Sequence, residues 1–275
     1  MHVCFLTNGY GEDRSAALIA RELGQIRPDI TISGAPLVTP GHEYEKYGFP
    51  VLYRGKVPPS GGFPTTSLGW FLRDLVHIGM KLSYYRALRR LRPEIDYVVS
   101  VGYFVLMMLG HYALRKKMLF MALAKSDHKR PHLVVEEHFL RKIPFEVLTR
   151  DKYTSEKLRD KGVNAVFLGN PIMDGLTPRG IDISGGRVVG VLPGSRAEAF
   201  ENFRRILAVV ALVPEPAEYY CAVPGALDFD RFLAVGQEEG WEVGEDGSLS
   251  RSGQVMRMVR NGFEDIITRS EVLIG

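Results

Sequence analysis

The sequence predicts an α/β protein made of two doubly wound domains, each built on a parallel sheet. Short apolar segments alternate with segments of helical periodicity along most of the chain. That alternation stops in a stretch rich in Gly, Pro and Asp and restarts at Arg187. The 275 residues, 45% hydrophobic and 24% charged, suffice for two cores and exclude disordered, collagen-like and coiled-coil classes.

The first domain is predicted to span residues 1–170. It opens with a strand, the turn TNGYGED and a helix whose apolar face carries Ala16, Ile19 and Leu23. The strands are predicted at 2–6, 30–33, 97–101, 118–123, 145–149 and 165–168, and the later helices at 68–91, 104–114 and 154–161. Residues 38–66 are rich in Gly, Pro and aromatic residues and are predicted to form a long functional loop.

A linker at 171–186 and a second domain at 187–275 are predicted to follow. The second domain repeats the pattern, with strands at 187–192, 218–223 and 271–274, helices at 198–213 and 229–239, and a short segment at 241–243. The last strand is not followed by a crossover helix, which would leave a parallel sheet exposed to water. We therefore expect the second domain to be incomplete in this chain.

Charge and cysteine usage restrict the partners and the compartment. Thirty-five Lys and Arg against 32 Asp and Glu give a net charge of +3, far from the one-sided basic surface of a nucleic-acid binder. Cys4 and Cys221 lie in apolar runs and predict buried free thiols in a reducing cytoplasm. No Cys or His pair has metal-ligand spacing, and the apolar stretch 97–114 is too interrupted to span a bilayer. Oligomeric state is left open.

Polar and glycine residues gather where the predicted strands end. Ligands of open parallel sheets bind beyond the carboxyl ends of the strands, so two such edges facing each other would form a cleft between the domains. The residues expected to line it are Asn8, Gly9, Gly11, Lys125, Ser126 and Asn170.

The segment VVGVLPGSRAEAFENF gives the sharpest local signal. Gly194 would let the backbone approach an anion, and the Ser195 hydroxyl, the Arg196 guanidinium and free helix amides suit a diphosphate. The alternative is an ordinary strand-to-helix turn, with Ser195 as N-cap and Glu198 as its capping-box partner.

Five segments, in order, resemble the lipid-A-disaccharide synthase-related proteins, relatives of lipid-A-disaccharide synthase with a GT-B glycosyltransferase fold. They are TNGYGEDRSA at 7–16, AKSD at 124–127, LTRDKYTSEKLRDKGV at 148–163, FLGNPIMDGL at 167–176 and LPGSR at 192–196. The resemblance spans nearly the whole chain. It implies two Rossmann-like domains, the first holding a lipid-linked or amphipathic acceptor and the second a UDP-sugar.

The implied activity is that of a hexosyltransferase with a UDP-sugar as donor substrate and with no cofactor or metal. An inverting transferase needs a general base for the acceptor hydroxyl, and the candidates are Asp13, Asp127 and Glu12, in that order. His111, His128 and His138 are compatible with proton transfer. Lys125 could also neutralise phosphate. The resemblance further implies a cytoplasmic protein, peripheral on the inner face of the cytoplasmic membrane.

Two other functions stay open. Where the synthase carries an acidic catalytic motif, this sequence has Tyr103, and a phenol is not a base at neutral pH. This substitution favours a non-catalytic nucleotide-sugar or lipid-binding protein of the same fold. A UDP-sugar 2-epimerase shares the architecture but needs acids and a histidine around one sugar ring.

The aromatic segment 61–85 and the arginines that follow it allow two interpretations. The segment is either an interfacial helix that contacts acyl chains and anionic head groups, or a core helix of the first domain with a basic end.

Overall fold

A computed structural model describes residues 1–9, 11–55, 71–183, 187–194, 198–214, 217–225 and 227–275, with 71–78 as backbone only. The chain divides into two compact units, Met1–Gly175 and Leu176–Gly275. Each unit contains a six-stranded sheet.

The sheet of the first unit is parallel throughout, in the order β2-β1-β3-β4-β5-β6. Its strands are β1 His2–Thr7, β2 Thr31–Pro36, β3 Tyr97–Val101, β4 Lys117–Ala122, β5 Glu146–Thr149 and β6 Ala165–Val166. Its helices are α1 Gly11–Ile26, α2 His42–Glu45, α3 Phe71–Leu91, α4 Phe104–Leu114, α5 Val134–Lys142, α6 Lys152–Asp160 and α7 Pro171–Asp174.

Helices cover both faces of this sheet, which explains why β1 and β4 carry apolar residues on both faces. Along β1, Val3 and Phe5 pack with α1, while Cys4 and Leu6 belong to the cluster on the opposite face. The strand therefore alternates between two cores, although every residue of the run is buried.

The sheet of the second unit has the order β12-β7-β8-β11-β10-β9, with four parallel strands and an antiparallel edge made by β10 and β9. Its strands are β7 Val188–Val191, β8 Glu218–Val223, β9 Glu242–Val243, β10 Leu249–Arg251, β11 Gln254–Arg260 and β12 Val272–Ile274. Its helices are α8 Ala199–Val210, α9 Phe229–Glu238 and α10 Phe263–Arg269.

The predicted strands and helices coincide with observed ones to within a few residues, but several elements were not predicted. The β10–β11 hairpin turns through Ser252 and Gly253, both at positive φ, and β11 alternates buried and exposed side chains at its start. The Ser252–Gly253 turn was a readable signal, whereas the alternation was not, because the polar Gln254 is buried and the apolar Val255 is exposed. Helix α5 has a weaker signal, because β-branched Val134 and Val135 open it and Leu133 at the N-cap has no polar side chain.

Two further segments differ from the prediction. Part of the predicted loop 38–66 forms α2, and the remainder from residue 56 onward lies outside the described residues. The start of the predicted linker forms α7, which packs on α1: a Cβ at Gly175 would lie 2.3 Å from Leu18 Cδ1. Cys4 and Cys221 are free and buried, as predicted.

The described part of α3 belongs to the core. Tyr84 and Leu88 are fully buried, and the Tyr84 hydroxyl donates to the Ala35 carbonyl at 2.6 Å. The aromatic residues Phe63, Trp70 and Phe71, which suggested an interfacial helix, lie outside the described side chains.

Replacing two helix glycines with alanine is expected to change stability in opposite directions. A Cβ at Gly110 in α4 would lie 2.4 Å from Leu6 Cδ1 in the core, so we expect Gly110→Ala to lower the free energy of unfolding by about 1–3 kcal/mol. Gly79 in α3 is exposed and no described atom lies within 4 Å of a Cβ there, so Gly79→Ala should raise the free energy of unfolding by about 0.5–1 kcal/mol. Urea unfolding followed by circular dichroism measures both, and a G110A protein as stable as wild type would contradict the packing.

Candidate functional site

The strand order of the first sheet reverses at β1. The chain passes from β1 to β2 on one side and then crosses to β3 on the other side. The connections after β1 and β3 therefore leave in different directions, and a crevice opens beyond the carboxyl ends of these two strands.

The turn after β1 depends on a glycine. Gly9 has a φ of +129°, and a Cβ there would lie 2.5 Å from Val38 Cγ2. Its carbonyl accepts from the Glu12 backbone N–H at 3.1 Å, and α1 begins at the exposed Gly11. The tight turn thus places Asn8 and Glu12 at the start of the crevice.

A second glycine, at the end of β3, brings the two turns together. Gly102 has a φ of +118°, and a Cβ there would lie 3.2 Å from Glu12 Cγ and 3.4 Å from Asn8 Cβ. Glu12 and Asn8 are both half-buried. The crevice between β1 and β3 therefore carries the Glu12 carboxylate on one wall and the glycine backbone on the other.

Asp13, the first-ranked base in the sequence analysis, does not share this exposure. Its carboxyl is buried, and the Thr39 hydroxyl donates to it. Burial raises its pKa, although hydrogen bonds from Thr39 and Thr7 oppose the shift. Asp13 thus fastens α1 to the segment after β2 and is not exposed at the end of the strand.

Asp127 is engaged by a histidine that the sequence analysis did not single out. Asp127 Oδ1 accepts from His132 Nδ1 at 2.5 Å and from the His132 backbone N–H at 3.1 Å. The Asp127 N–H in turn donates to the Thr154 hydroxyl at 2.9 Å. Asp127 and the nearly buried His132 are only five positions apart in the sequence, yet no spacing rule predicts such a pair.

A cavity of about 670 Å³ lies beyond the ends of β3, β4 and β5. Tyr103 and Ser126 are on its wall, together with the charged and imidazole side chains Lys125, His128, Lys129, Arg130, Glu136, Arg150 and Asp151. Lys125 pairs with Glu136, so that side chain is not free to neutralise a ligand phosphate. Lys129, Arg130 and Arg150 make no ion pair within the described part of the chain.

Asp151 is the carboxylate that offsets these cations. It caps α6, accepting from the Thr154 N–H at 2.7 Å and the Thr154 hydroxyl at 3.0 Å. Burial opposes ionisation, yet these bonds and one from the Ser126 side chain hold the pKa of Asp151 below its usual range.

The three histidines named from sequence are separated. His128 lines the cavity and stacks on Tyr153 at 4.3 Å. His111 lies in α4, where burial and Arg115 lower its pKa, and the exposed His138 meets the edge of Phe139. Asn170 is a local cap, since its side chain accepts from the Ile172 N–H at 3.2 Å.

The second sheet repeats the reversal, at β7. Its neighbours are β8, the next strand in the chain, and β12, the last. Gly194 follows β7 with a φ of +110° and is exposed, and no atom of the described residues approaches a Cβ there closer than 4.0 Å. The Asn202 side chain donates to the Pro193 carbonyl at 3.0 Å and ties α8 to this turn.

Ser195 and Arg196 lie outside the described residues. Helix α8 begins at Ala199, so Glu198 itself occupies the N-cap position and makes no capping hydrogen bond with its side chain. The capping box expected from Ser195 and Glu198 does not fit this start. The first amides of α8 are thus without a side-chain cap from Glu198.

Among the described residues, no three His, Cys, Asp or Glu side chains form a group that could hold a metal ion. No described helix combines the length and apolarity that crossing a bilayer requires.

No protein-family model and no curated protein matches the sequence. Solved structures match nearly the whole chain. MurG from Acinetobacter baumannii has a TM-score of 0.58 at 13% identity, covering 99% of this chain and 72% of its own. UDP-GlcNAc 2-epimerase from Methanocaldococcus jannaschii has a TM-score of 0.57 at 13% identity, with coverages of 99% and 78%. Anabaena Alr3699/HepE, solved with UDP and glucose, has a TM-score of 0.55 at 12% identity, with coverages of 99% and 73%.

These similarities and the two parallel-dominated sheets confirm the predicted fold class, a GT-B fold with two Rossmann-like domains. At such low identities they show the fold alone. The nearer resemblance to the lipid-A-disaccharide synthase-related proteins stays a prediction.

The buried Asp13 predicts a pH effect on stability. Because its pKa is raised in the folded state, the stability it contributes is complete below the unfolded pKa and is lost as the pH rises through the folded pKa. Asn keeps an acceptor for Thr39 and carries no charge. We expect Asp13→Asn to be at least as stable as wild type at pH 7 and to converge with it below about pH 4.

Urea unfolding across this pH range measures the effect. The exposed Asp160→Asn is the matched control and should leave the wild-type pH profile unchanged. A D13N protein that is clearly less stable than wild type at pH 7 would contradict the assignment.

Proposed function

We propose that this chain is a UDP-sugar-dependent glycosyltransferase that transfers a hexosyl group to a lipid-linked or amphipathic acceptor. The observation that carries the proposal is the repeated reversal of strand order, with a glycine at positive φ in the turn at the reversal point of each sheet. Such a point is where doubly wound sheets bind ligands. The GT-B fold shared with MurG and with the UDP-bound HepE protein supports the class.

The second unit is proposed to bind the donor. No described atom lies closer than 4.0 Å to a Cβ at Gly194, and the amides at the start of α8 have no cap from Glu198. Helix amides attract anions, and the Ser195 hydroxyl and Arg196 guanidinium of the same segment would complete a diphosphate site. Stabilising the leaving UDP in this way lowers the barrier to breaking the bond between sugar and phosphate.

The first unit is proposed to bind the acceptor and supply the base. Glu12 lies in the β1–β3 crevice, whereas Asp13 is buried and Asp127 is held by His132. We therefore assign Glu12 as general base and place Asp127 second. Glu12 takes the proton of the acceptor hydroxyl, whose oxygen bonds to the anomeric carbon as UDP leaves with the electron pair of the broken bond.

The amphipathic acceptor is the finer part of the proposal. Lys129, Arg130 and Arg150 on the cavity wall suit an anionic head group, and Tyr103 offers an exposed ring beside them. A protein with such a substrate would work at the cytoplasmic membrane as a peripheral protein.

Two alternatives have a specific observation behind them. The similarity to a UDP-GlcNAc 2-epimerase favours an epimerase, and Tyr103 at the position of the synthase's acidic motif favours a binding protein without turnover. Incubating the chain with UDP-hexoses, with and without an alkyl glycoside acceptor, separates the three. UDP release that needs acceptor supports transfer, epimerised donor without acceptor supports the epimerase, and binding without turnover supports the third function.

Arg196→Ala tests the donor site. Loss of a charge-assisted hydrogen bond to phosphate should weaken UDP affinity about 10- to 100-fold by calorimetry, with unchanged thermal unfolding. Arg205→Ala is the matched control, because Arg205 lies in α8, is exposed and pairs with Glu201. Unchanged affinity in R196A would reject the phosphate role.

Glu12→Gln tests the base. Glutamine has nearly the same shape but cannot accept a proton, so we expect transfer to slow about 10²- to 10⁴-fold while UDP affinity stays at the wild-type value. Glu22→Gln on the same helix is the control, since Glu22 pairs with its neighbour Arg21 on the surface. Wild-type turnover by E12Q would eliminate Glu12 as the base.

A further inference from the structure

An apolar and cationic surface lies where the chain enters α5. Leu133, Val134 and Val135 are consecutive and expose 61%, 78% and 53% of their surface, and the exposed Lys129 and Arg130 precede them. We call these five residues the docking surface.

Folding does not account for these aliphatic side chains. Helix α5 packs on the core through Leu140, which is buried, and through Phe139 and Ile143. Leu133 at the N-cap offers no side-chain acceptor to the helix amides, and β-branched valines are poor residues for a first turn. Polar residues would serve the folded state better at all three positions.

The exposed charged side chains that precede this apolar cluster are both positive. Lys129 and Arg130 make no ion pair within the described part of the chain. Of the nearby acids, Glu136 accepts from Lys125 and from the Leu133 N–H, and Asp127 is engaged by His132. Within the described part of the chain, the half-buried Glu137 and Asp151 remain to offset the two cations, and Asp151 is also engaged by Thr154.

We propose that the docking surface binds the surface of a bilayer that contains anionic lipids. Aliphatic side chains enter the boundary between head groups and acyl chains, and adjacent Lys and Arg attract anionic head groups. Lys129 and Arg130 also line the 670 Å³ cavity, so docking would bring that cavity to the head groups. The inference rests on the amphipathic acceptor of the proposed function and assigns the surface through which the protein reaches it.

A bilayer suits this surface better than a protein partner. Three aliphatic side chains within one helical turn form a smaller apolar area than the core of a stable protein interface. Insertion into a head-group layer needs no matching partner shape and gains from each cation separately.

Co-sedimentation with vesicles tests the proposal. We expect the full chain to bind vesicles of equal parts phosphatidylglycerol and phosphatidylcholine, and to bind pure phosphatidylcholine much more weakly. K129Q/R130Q should weaken binding to the anionic vesicles about 30-fold, and L133S/V134S at least about tenfold. Added salt should weaken wild-type binding.

Two controls match these variants. K116Q/K117Q changes the net charge equally at the opposite edge of the sheet, where β4 begins, and Leu212→Ser removes an aliphatic side chain that is 83% exposed in the second unit. Both should bind vesicles as wild type does. All variants should keep the wild-type thermal unfolding and UDP affinity, and the vesicle measurement needs no donor, so failure of the donor site would show separately.

Three results would overturn the proposal. They are no vesicle binding by the wild-type chain, vesicle binding that survives both double substitutions at the docking surface, and self-association of the wild-type chain that L133S/V134S abolishes while vesicle binding is absent. The last result would assign the surface to a second copy of the chain.

Discussion

The close approach of two turns at Gly102 is the constraint on which the acceptor side depends. A side chain at this position would press on Glu12 Cγ and Asn8 Cβ, and its φ of +118° suits glycine. Only glycine at this position allows the turn after β1 to pack against the end of β3. The Glu12 carboxylate can therefore lie in the crevice at the reversal of strand order, where a substrate hydroxyl would meet it.

The second unit also has a glycine at its reversal of strand order, but with different groups beside it. Its reversal at β7 also ends in a glycine at positive φ, but no described atom lies closer than 4.0 Å to a Cβ at Gly194, and Glu198 provides no side-chain cap for the helix that follows. One reversal thus presents a carboxylate and the other presents backbone amides. A base and an anion site are the two groups that transfer from a nucleotide sugar requires.

How far the sequence predicts this structure depends on whether the deciding contact is local. Strand positions, the glycine turns and the buried thiols follow from local patterns, and the structure bears them out. The burial of Asp13 depends on Thr39, 26 residues away, and its exposure could not be read from its place after a strand. The pairing of Asp127 with His132 likewise depends on how the chain folds back, and the first turn of α5 departs from helix preferences at the surface we assign to lipid.

Hydrogen–deuterium exchange with and without UDP tests whether the second unit binds the nucleotide, because it locates bound UDP without requiring an acceptor. We expect UDP to slow amide exchange in peptides that cover the end of β7 and the start of α8, residues 191–203. Exchange in the β1–β3 crevice of the first unit should change little. If UDP slows exchange in other peptides and leaves residues 191–203 unchanged, the proposed donor site is wrong.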